Sequence, residues 1–313
     1  MNLKAIAVPA RPFFLITLLL ILAGTAAQAQ LMVDMQLDKK NYVDHEPITA
    51  TIRVKNLAGH DLILSNPRGG GWLNFEVLRG NNGISRRADA PTMKPHSLKA
   101  GATFTTKVNI GRYYPLALPS NYAVTASVYY PPLKRYFSSQ RRVVNVLKAK
   151  SLWAQNFGVP QPNNRPIQFR KYSLLSYRDR NTSELYVRVS SQDGQSVLKT
   201  YSIGSVLRSF SPNIDIDASN RLHVLHLGLP QFYAHTVVDT DGTMLRQDYY
   251  KQTGGSKPEL INQAGSITVR GGLKTDRHGT TGPSLSTPPT APGATPCNRP
   301  RNATERPPGL PSR

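Results

Sequence analysis

From Leu31 onward the chain is written in short runs of alternating apolar and polar residues, separated by turn formers. Ile48, Ala50, Ile52 and Val54 share one parity, and Thr49, Thr51 and Arg53 share the other. Successive side chains of a strand point to opposite faces, so this pattern makes one apolar and one polar face, the mark of a half-buried strand. The pattern recurs at residues 31–37, 62–64, 103–110, 122–129 and 142–147. At 72–78, Leu73, Phe75 and Val77 oppose Trp72, Asn74 and Glu76. Breaks at 56–61 and 66–71 carry Gly, Asn and Pro. Short strands at this spacing predict an all-β fold and, over 30–148, a β-sandwich.

The stretch 151–272 is also strand-rich, with a different rhythm. Asp193-Gly194 separates residues 185–189 from 197–201, and Asp241-Gly242 separates 236–239 from 244–245. Asp-Gly between alternating runs signals a hairpin, because both turn residues tolerate positive φ. Residues 213–225 read as an acidic turn followed by a strand. From about Leu273 to Arg313 the chain is rich in Pro and Thr and poor in large apolar groups. Such a segment cannot bury enough surface to offset chain entropy, which predicts a disordered basic tail.

Two resemblances follow. Asn41-Tyr42-Val43-Asp44-His45-Glu46-Pro47-Ile48, with the strand that ends Val54-Lys55-Asn56, resembles the opening of bacterial immunoglobulin-like domains of the macroglobulin and BsuPI-inhibitor type. Leu98-Lys99-Ala100-Gly101 and Leu118-Pro119-Ser120-Asn121-Tyr122 fit the same pattern, and Tyr122 resembles a tyrosine corner. Asp44 and His45 stand where those domains usually carry Pro or another turn residue and then Gly. The resemblance implies an immunoglobulin-like sandwich. The Asp-Gly hairpins over 151–272 resemble β-propeller blades, at a spacing of about one blade. The stretch is too short for a closed ring. It reads as a small β-domain with blade-like hairpins; a truncated repeat or a half-ring completed by a partner are the alternatives.

Residues 1–29 read as a signal peptide. Lys4 and Arg11 precede an apolar run from Phe13 to Gly24, and Ala27-Gln28-Ala29 supplies small residues at a cleavage site. The run is shorter than a bilayer span, so no stable membrane span is expected after cleavage. The expected location is periplasmic or extracellular. With one Cys, neither an intramolecular disulfide nor a multi-cysteine zinc site can form.

The motifs exclude more chemistry than they suggest. His223 and His226, three apart in a strand pattern, point to opposite faces. His235 and Asp239 lie about 13 Å apart along a strand. A calcium loop begun at Asp239 would need a bidentate Glu where Tyr250 stands. No Gly-x-Ser-x-Gly elbow occurs. Cys297 lies in the tail, and Arg68-Gly69-Gly70-Gly71 lacks the Lys-Ser/Thr of a phosphate loop. No cofactor, metal or catalytic residue is expected, and an enzyme is the least supported class.

Charge is the firmest functional hint. Lys and Arg number 39 against 18 acidic residues, a net charge of +21. Such a surface attracts polyanions, and Arg and Tyr are favoured at interfaces. The candidate binding residues are Arg68, Trp72, Arg86, Arg87, Arg112, Tyr113, Tyr114, Lys134 and Arg135, on loops at one end of the sandwich. The expected function is an exported, non-enzymatic binding or adhesion-type protein that recognises a protein or an anionic polysaccharide of the cell envelope. Export argues against nucleic acid as the main partner. The resemblance implies a second reading, a proteinase inhibitor that presents the loop from Gly80 to Pro95. A structural envelope role is third.

Overall fold

The computed structural model describes residues 31–66, 71–163, 165–179, 182–207 and 210–276. The signal-peptide reading, Arg68, Cys297 and nearly all of the tail lie outside these residues. Among the described residues every regular element is a strand, apart from the single-turn 3-10 segments Ile110–Arg112 and Pro131–Leu133. No helix among them is long and apolar enough to cross a membrane.

The first half contains β1 (Leu31–Leu37), β2 (Asn41–Val43), β3 (Thr49–Asn56), β4 (Leu62–Leu64), β5 (Leu73–Arg79), β6 (Asn82–Gly83), β7 (His96–Leu98), β8 (Thr103–Asn109), β9 (Ser120–Tyr130), β10 (Arg135–Ser138) and β11 (Arg142–Leu147). β1, β3 and β8 form one antiparallel sheet. The second runs β2-β11-β9-β5-β6, with β10 also on β9, and β4 pairs with β7 in a separate ribbon. The two main sheets share one core. Met35, Ala50, Ile52 and Val54 of the first meet Phe75, Val77, Val124, Ala126, Val128 and Val144 of the second. The apolar parity read from residues 48–54 is the buried one. Truncating a buried residue such as Ile52 to Ala would cost about 2–5 kcal/mol.

The motif residues explain themselves locally. Asn56 is fully buried. Its Nδ2 donates to the carbonyls of His60, Leu98 and Lys99 at 2.8–3.1 Å, and its Oδ1 accepts from Ala58 N. The Asn that ends β3 therefore holds the Leu98–Gly101 turn. His45 has φ 65°, so the turn requires the left-handed region at this position. The Tyr122 hydroxyl donates to the Leu118 carbonyl, four residues upstream, at 2.7 Å.

The second half contains β12 (Lys150–Val159), β13 (Gln168–Asp179), β14 (Thr182–Ser191), β15 (Val197–Ser205), β16 (Asn213–Ile216), β17 (Leu222–Leu229), β18 (Phe232–Val238), β19 (Met244–Lys251), β20 (Glu259–Gln263), β21 (Ser266–Arg270) and β22 (Leu273–Thr275). β12 to β15 form one antiparallel meander and β16 to β19 a second. The Asp-Gly pairs turn the β14–β15 and β18–β19 hairpins, with Gly194 and Gly242 at φ 77° and 83°. The meanders face each other over a core of Tyr172, Leu174, Val187, Leu222, Val224 and Val238, so these small sheets are arranged like propeller blades. Leu273–Thr275, placed in the tail by composition, pairs with β19 as β22 instead.

The β12–β15 sheet is covered on both faces. Leu174 and Val187 point to the second meander, while their neighbours Leu175 and Tyr186 pack on Val43 of β2. Arg188 of β14 clamps the turn after β2. Its Nη2 lies 3.0 Å from the Asp44 carboxylate and 2.6 Å from the Asp44 carbonyl, and its Nε donates to Thr200 Oγ1.

Candidate functional site

This clamp brings the turn at Asp44–Ile48 beside β15 and opens a groove between the two halves. One wall is made by the segment after β8. Ile110 is fully buried and donates its N–H to the Ile48 carbonyl, and Asn109 Oδ1 accepts from Gly111 N at 3.0 Å. This cap holds the turn so that Arg112 stands exposed. The backbone N–H of Arg87 donates to the Tyr113 carbonyl at 2.8 Å, which places Arg87 beside Arg112. The other wall is the β15 segment Val197–Tyr201, with His45 at the base.

The resulting cleft has a volume of about 440 Å³. It shares Arg87, Gly111 and Arg112 with a second cleft of about 420 Å³, which Asp89 and Pro91 complete. Among the described residues no ion pair engages Arg87 or Arg112. Lys199 is more tied, 3.7 Å from the Asp241 carboxylate and 2.6 Å from Thr243 Oγ1. Glu46 also lines the cleft. Its carboxylate is nearly buried, is held by Lys39 and accepts from Val43 N, and burial raises its pKa. Burial and then the Arg188 charge lower the pKa of His45, which is therefore neutral near pH 7. Two unpaired guanidinium groups along one groove suit oxyanions, which Arg can grip with two parallel hydrogen bonds.

The candidates from the sequence divide. Arg86, Arg87, Arg112, Tyr113 and Tyr114 come together, in different roles. Tyr113 and Tyr114 are buried, edge-on to Phe75, and the Tyr114 hydroxyl donates to the Phe75 carbonyl. Arg86 lies over the Tyr113 ring and donates to Asn74 Oδ1 and the Pro91 carbonyl, so it braces the loop. Trp72 is core: it packs on Phe104 and donates from Nε1 to the Lys94 carbonyl at 2.7 Å. Lys134 and Arg135 are exposed at the β9–β10 turn, where Arg135 stacks on Phe137, and do not line the groove. His45, Lys199 and Thr200 were not legible in the sequence, because only the docking of the halves brings them to Arg87.

The histidines follow strand parity. His223 and His226 lie on opposite faces of β17, and His223 meets His235 of β18 across the sheet, with Nδ1 to Nε2 at 3.1 Å. Among the described residues no group of three or more His, Cys, Asp and Glu side chains is gathered for a metal.

No protein-family model matches the chain, and no curated protein matches it. Among solved structures, the sporulation control protein Spo0M from Bacillus subtilis is similar at 12% identity and a TM-score of 0.25, over 56% of this chain and 91% of that one. A likeness of that size bears on neither fold nor function.

Proposed function

We propose that the chain is an exported, non-enzymatic binding protein whose groove at Arg87 and Arg112 takes an anionic chain, either an acidic stretch of protein or an anionic glycan of the cell envelope. The observation that carries this reading is the pair of exposed arginines, in no ion pair with a carboxylate among the described residues and lining two clefts with a common wall. An extended row of oxyanions could run through both clefts. The net charge, +21 for the whole chain and +19 without Lys4 and Arg11 of the signal, would speed encounter, and the groove would supply selectivity. We read the first half as an immunoglobulin-like sandwich and the second as blade-like. The tyrosine-corner bond and the left-handed His45 support the former, and the paired meanders support the latter.

Titration with poly-glutamate and with polygalacturonate, at low and high salt, tests the proposal. R87A/R112A should weaken binding at least tenfold, while K134A/R135A, which removes the same charge, should act only through the field and fade with salt. Equal losses from both double variants would leave no role for the groove.

The inhibitor reading keeps one supporting observation. The 80–95 loop is largely exposed yet braced, by Arg86 on the Pro91 carbonyl and by Arg87 N on Tyr113 O. Stoichiometric inhibition in a panel of serine and cysteine proteinases would favour it over the groove.

A further inference from the structure

The groove between the halves follows the edge of a strand. Five successive residues of β15, Val197 to Tyr201, line it. Successive side chains of a strand point to opposite faces, so no single face of β15 could supply all five. β15 is the last strand of its sheet, with β14 as its ladder partner. An edge strand leaves backbone N–H and C=O groups unpaired at about every second residue. Among the described residues, no backbone–backbone hydrogen bond joins Val197–Tyr201 to anything but β14. The stretch is accessible: Leu198 is 40% exposed, and Lys199 is exposed beside it. A bulge at Leu198 interrupts the ladder, which then runs regularly from Lys199 to Ser202. Beyond Ser202 the edge is covered, since Gln247 of β19 donates to the Ile203 carbonyl at 2.8 Å.

The two faces of β15 look onto different partners. Thr200 accepts from Arg188, which also holds Asp44, so its face turns to the first half. Lys199 reaches Thr243 and Asp241, so its face turns to the second meander. A strand added along this edge would continue the pleat. Every second side chain of it would turn to the first half, the side from which Arg87 and Arg112 line the groove. Pro47, Ala117 and Leu198 supply apolar surface along the same groove. The carboxylate of Glu46, which also lines it, is already held by Lys39.

A row of unpaired backbone groups has a repeating complement in another peptide backbone, whereas a glycan carries no N–H and C=O groups at strand spacing. Resting on the groove proposed above, we infer that its occupant is protein. An extended segment with an acidic residue at every second position adds to β15 as a fifth strand of the β12–β15 sheet and sets its carboxylates against Arg87 and Arg112.

Three probes test this: an end-capped eight-residue peptide of alternating Glu and Val, the same peptide N-methylated at every residue, and polygalacturonate. Methylation keeps the charge and removes the backbone donors. Calorimetry on the whole protein should show the peptide losing at least tenfold in affinity on methylation, and at least tenfold in R87A/R112A. In amide hydrogen exchange of the native protein, the peptide should slow exchange within Lys199–Ser202, and polygalacturonate should not. Equal affinity for both peptides, each weakened in R87A/R112A, would overturn strand addition and leave the groove reading standing. Polygalacturonate bound more tightly than the peptide, again through the two arginines, would put a glycan in the groove and overturn this inference alone. No binding of peptide or polygalacturonate at millimolar concentration, or binding that R87A/R112A leaves unchanged, would sink the groove reading and this inference with it.

Discussion

His223 Nδ1 lies 3.1 Å from His235 Nε2, and the two rings stack with centroids 5.2 Å apart. The chain continues to Asp217, whose Oδ2 is 3.4 Å from His223 Nε2. The carboxylate at one end sets the order of protons. It favours Nε2–H on His223, which makes Nδ1 of His223 an acceptor for Nε2–H of His235 and leaves His235 Nδ1 as a buried lone pair without a partner. Two charged rings would set N–H against N–H across this contact, so at least one of them must stay neutral.

Acid should therefore unfold the second half first. Burial, and then the neighbouring His223, lower the pKa of His235 to about 4, with Arg246 and Lys274 lowering it and Asp248 raising it. Burial also lowers the pKa of His223, against its bond to Asp217. A histidine whose folded pKa is depressed stabilises the fold fully above its unfolded value, about 6.5, and that stability is lost as pH falls toward the folded value. The window is about pH 6.5 to 4, and His235 alone accounts for about 2–3 kcal/mol. Urea unfolding at pH 7.5 and 4.5 should show this loss, and H235L should flatten the dependence. A wild-type midpoint that does not move over the window would refute the assignment.

The clamp between the halves gives a second expectation. Arg188 and the Asp44 carboxylate are both mostly buried, and the guanidinium also holds the Asp44 carbonyl and Thr200. Removing one partner of such a pair strands the other. R188M should cost about 2–4 kcal/mol, and D44N less, because the carbonyl bond survives. The groove should suffer with the clamp, since His45 and Lys199 line one cleft with Arg87 only while the halves are docked. Thermal melts and the poly-glutamate titration on the same variants check both effects.

How far the sequence reached depends on how each strand is covered. β3 was legible because one face meets the core and the other meets solvent, so Ala50, Ile52 and Val54 alternate with polar neighbours. β12 and β13 were not. Tyr172, Ser173, Leu174 and Leu175 are buried in succession because both faces of their sheet are covered, which erases the alternation. β12 is an edge strand with mostly exposed side chains and carries little pattern. The groove was half legible. Arg87 and Arg112 were named from charge, but Trp72, Tyr113 and Tyr114 look the same in a sequence whether they line a surface or fill a core. The pairing of His223 with His235 depends on hairpin register, which residue spacing alone does not give.

The Tyr122 hydroxyl gives a third test. Y122F keeps the buried ring and removes the bond from its hydroxyl to the Leu118 carbonyl, together with its contact to the Arg79 side chain. The expected loss is about 1 kcal/mol, the usual net worth of one hydrogen bond. Denaturant midpoints measure it. A loss near zero would mean that the hydroxyl contributes nothing to the turn that opens β9.

His45 gives an expectation of the opposite sign. A non-glycine residue in the left-handed region costs about 1–2 kcal/mol relative to the right-handed one, and glycine escapes that cost while it loses more chain entropy on folding. The backbone at this position is held by Arg188 on the Asp44 carbonyl and by Glu46 N on the Val43 carbonyl, so the turn has no other conformation to adopt. H45G should therefore stabilise the protein by about 0.5–1 kcal/mol, a shift readable in urea midpoints at pH 7.5. His45 also lines the groove with Arg87 and Arg112, so the same substitution would widen the cleft and weaken poly-glutamate binding modestly. Gain in stability with loss in binding would mean that the strain at His45 is retained for the site. Gain in both would mean that the imidazole has no part in recognition, and a destabilised H45G would show that its packing outweighs the backbone strain.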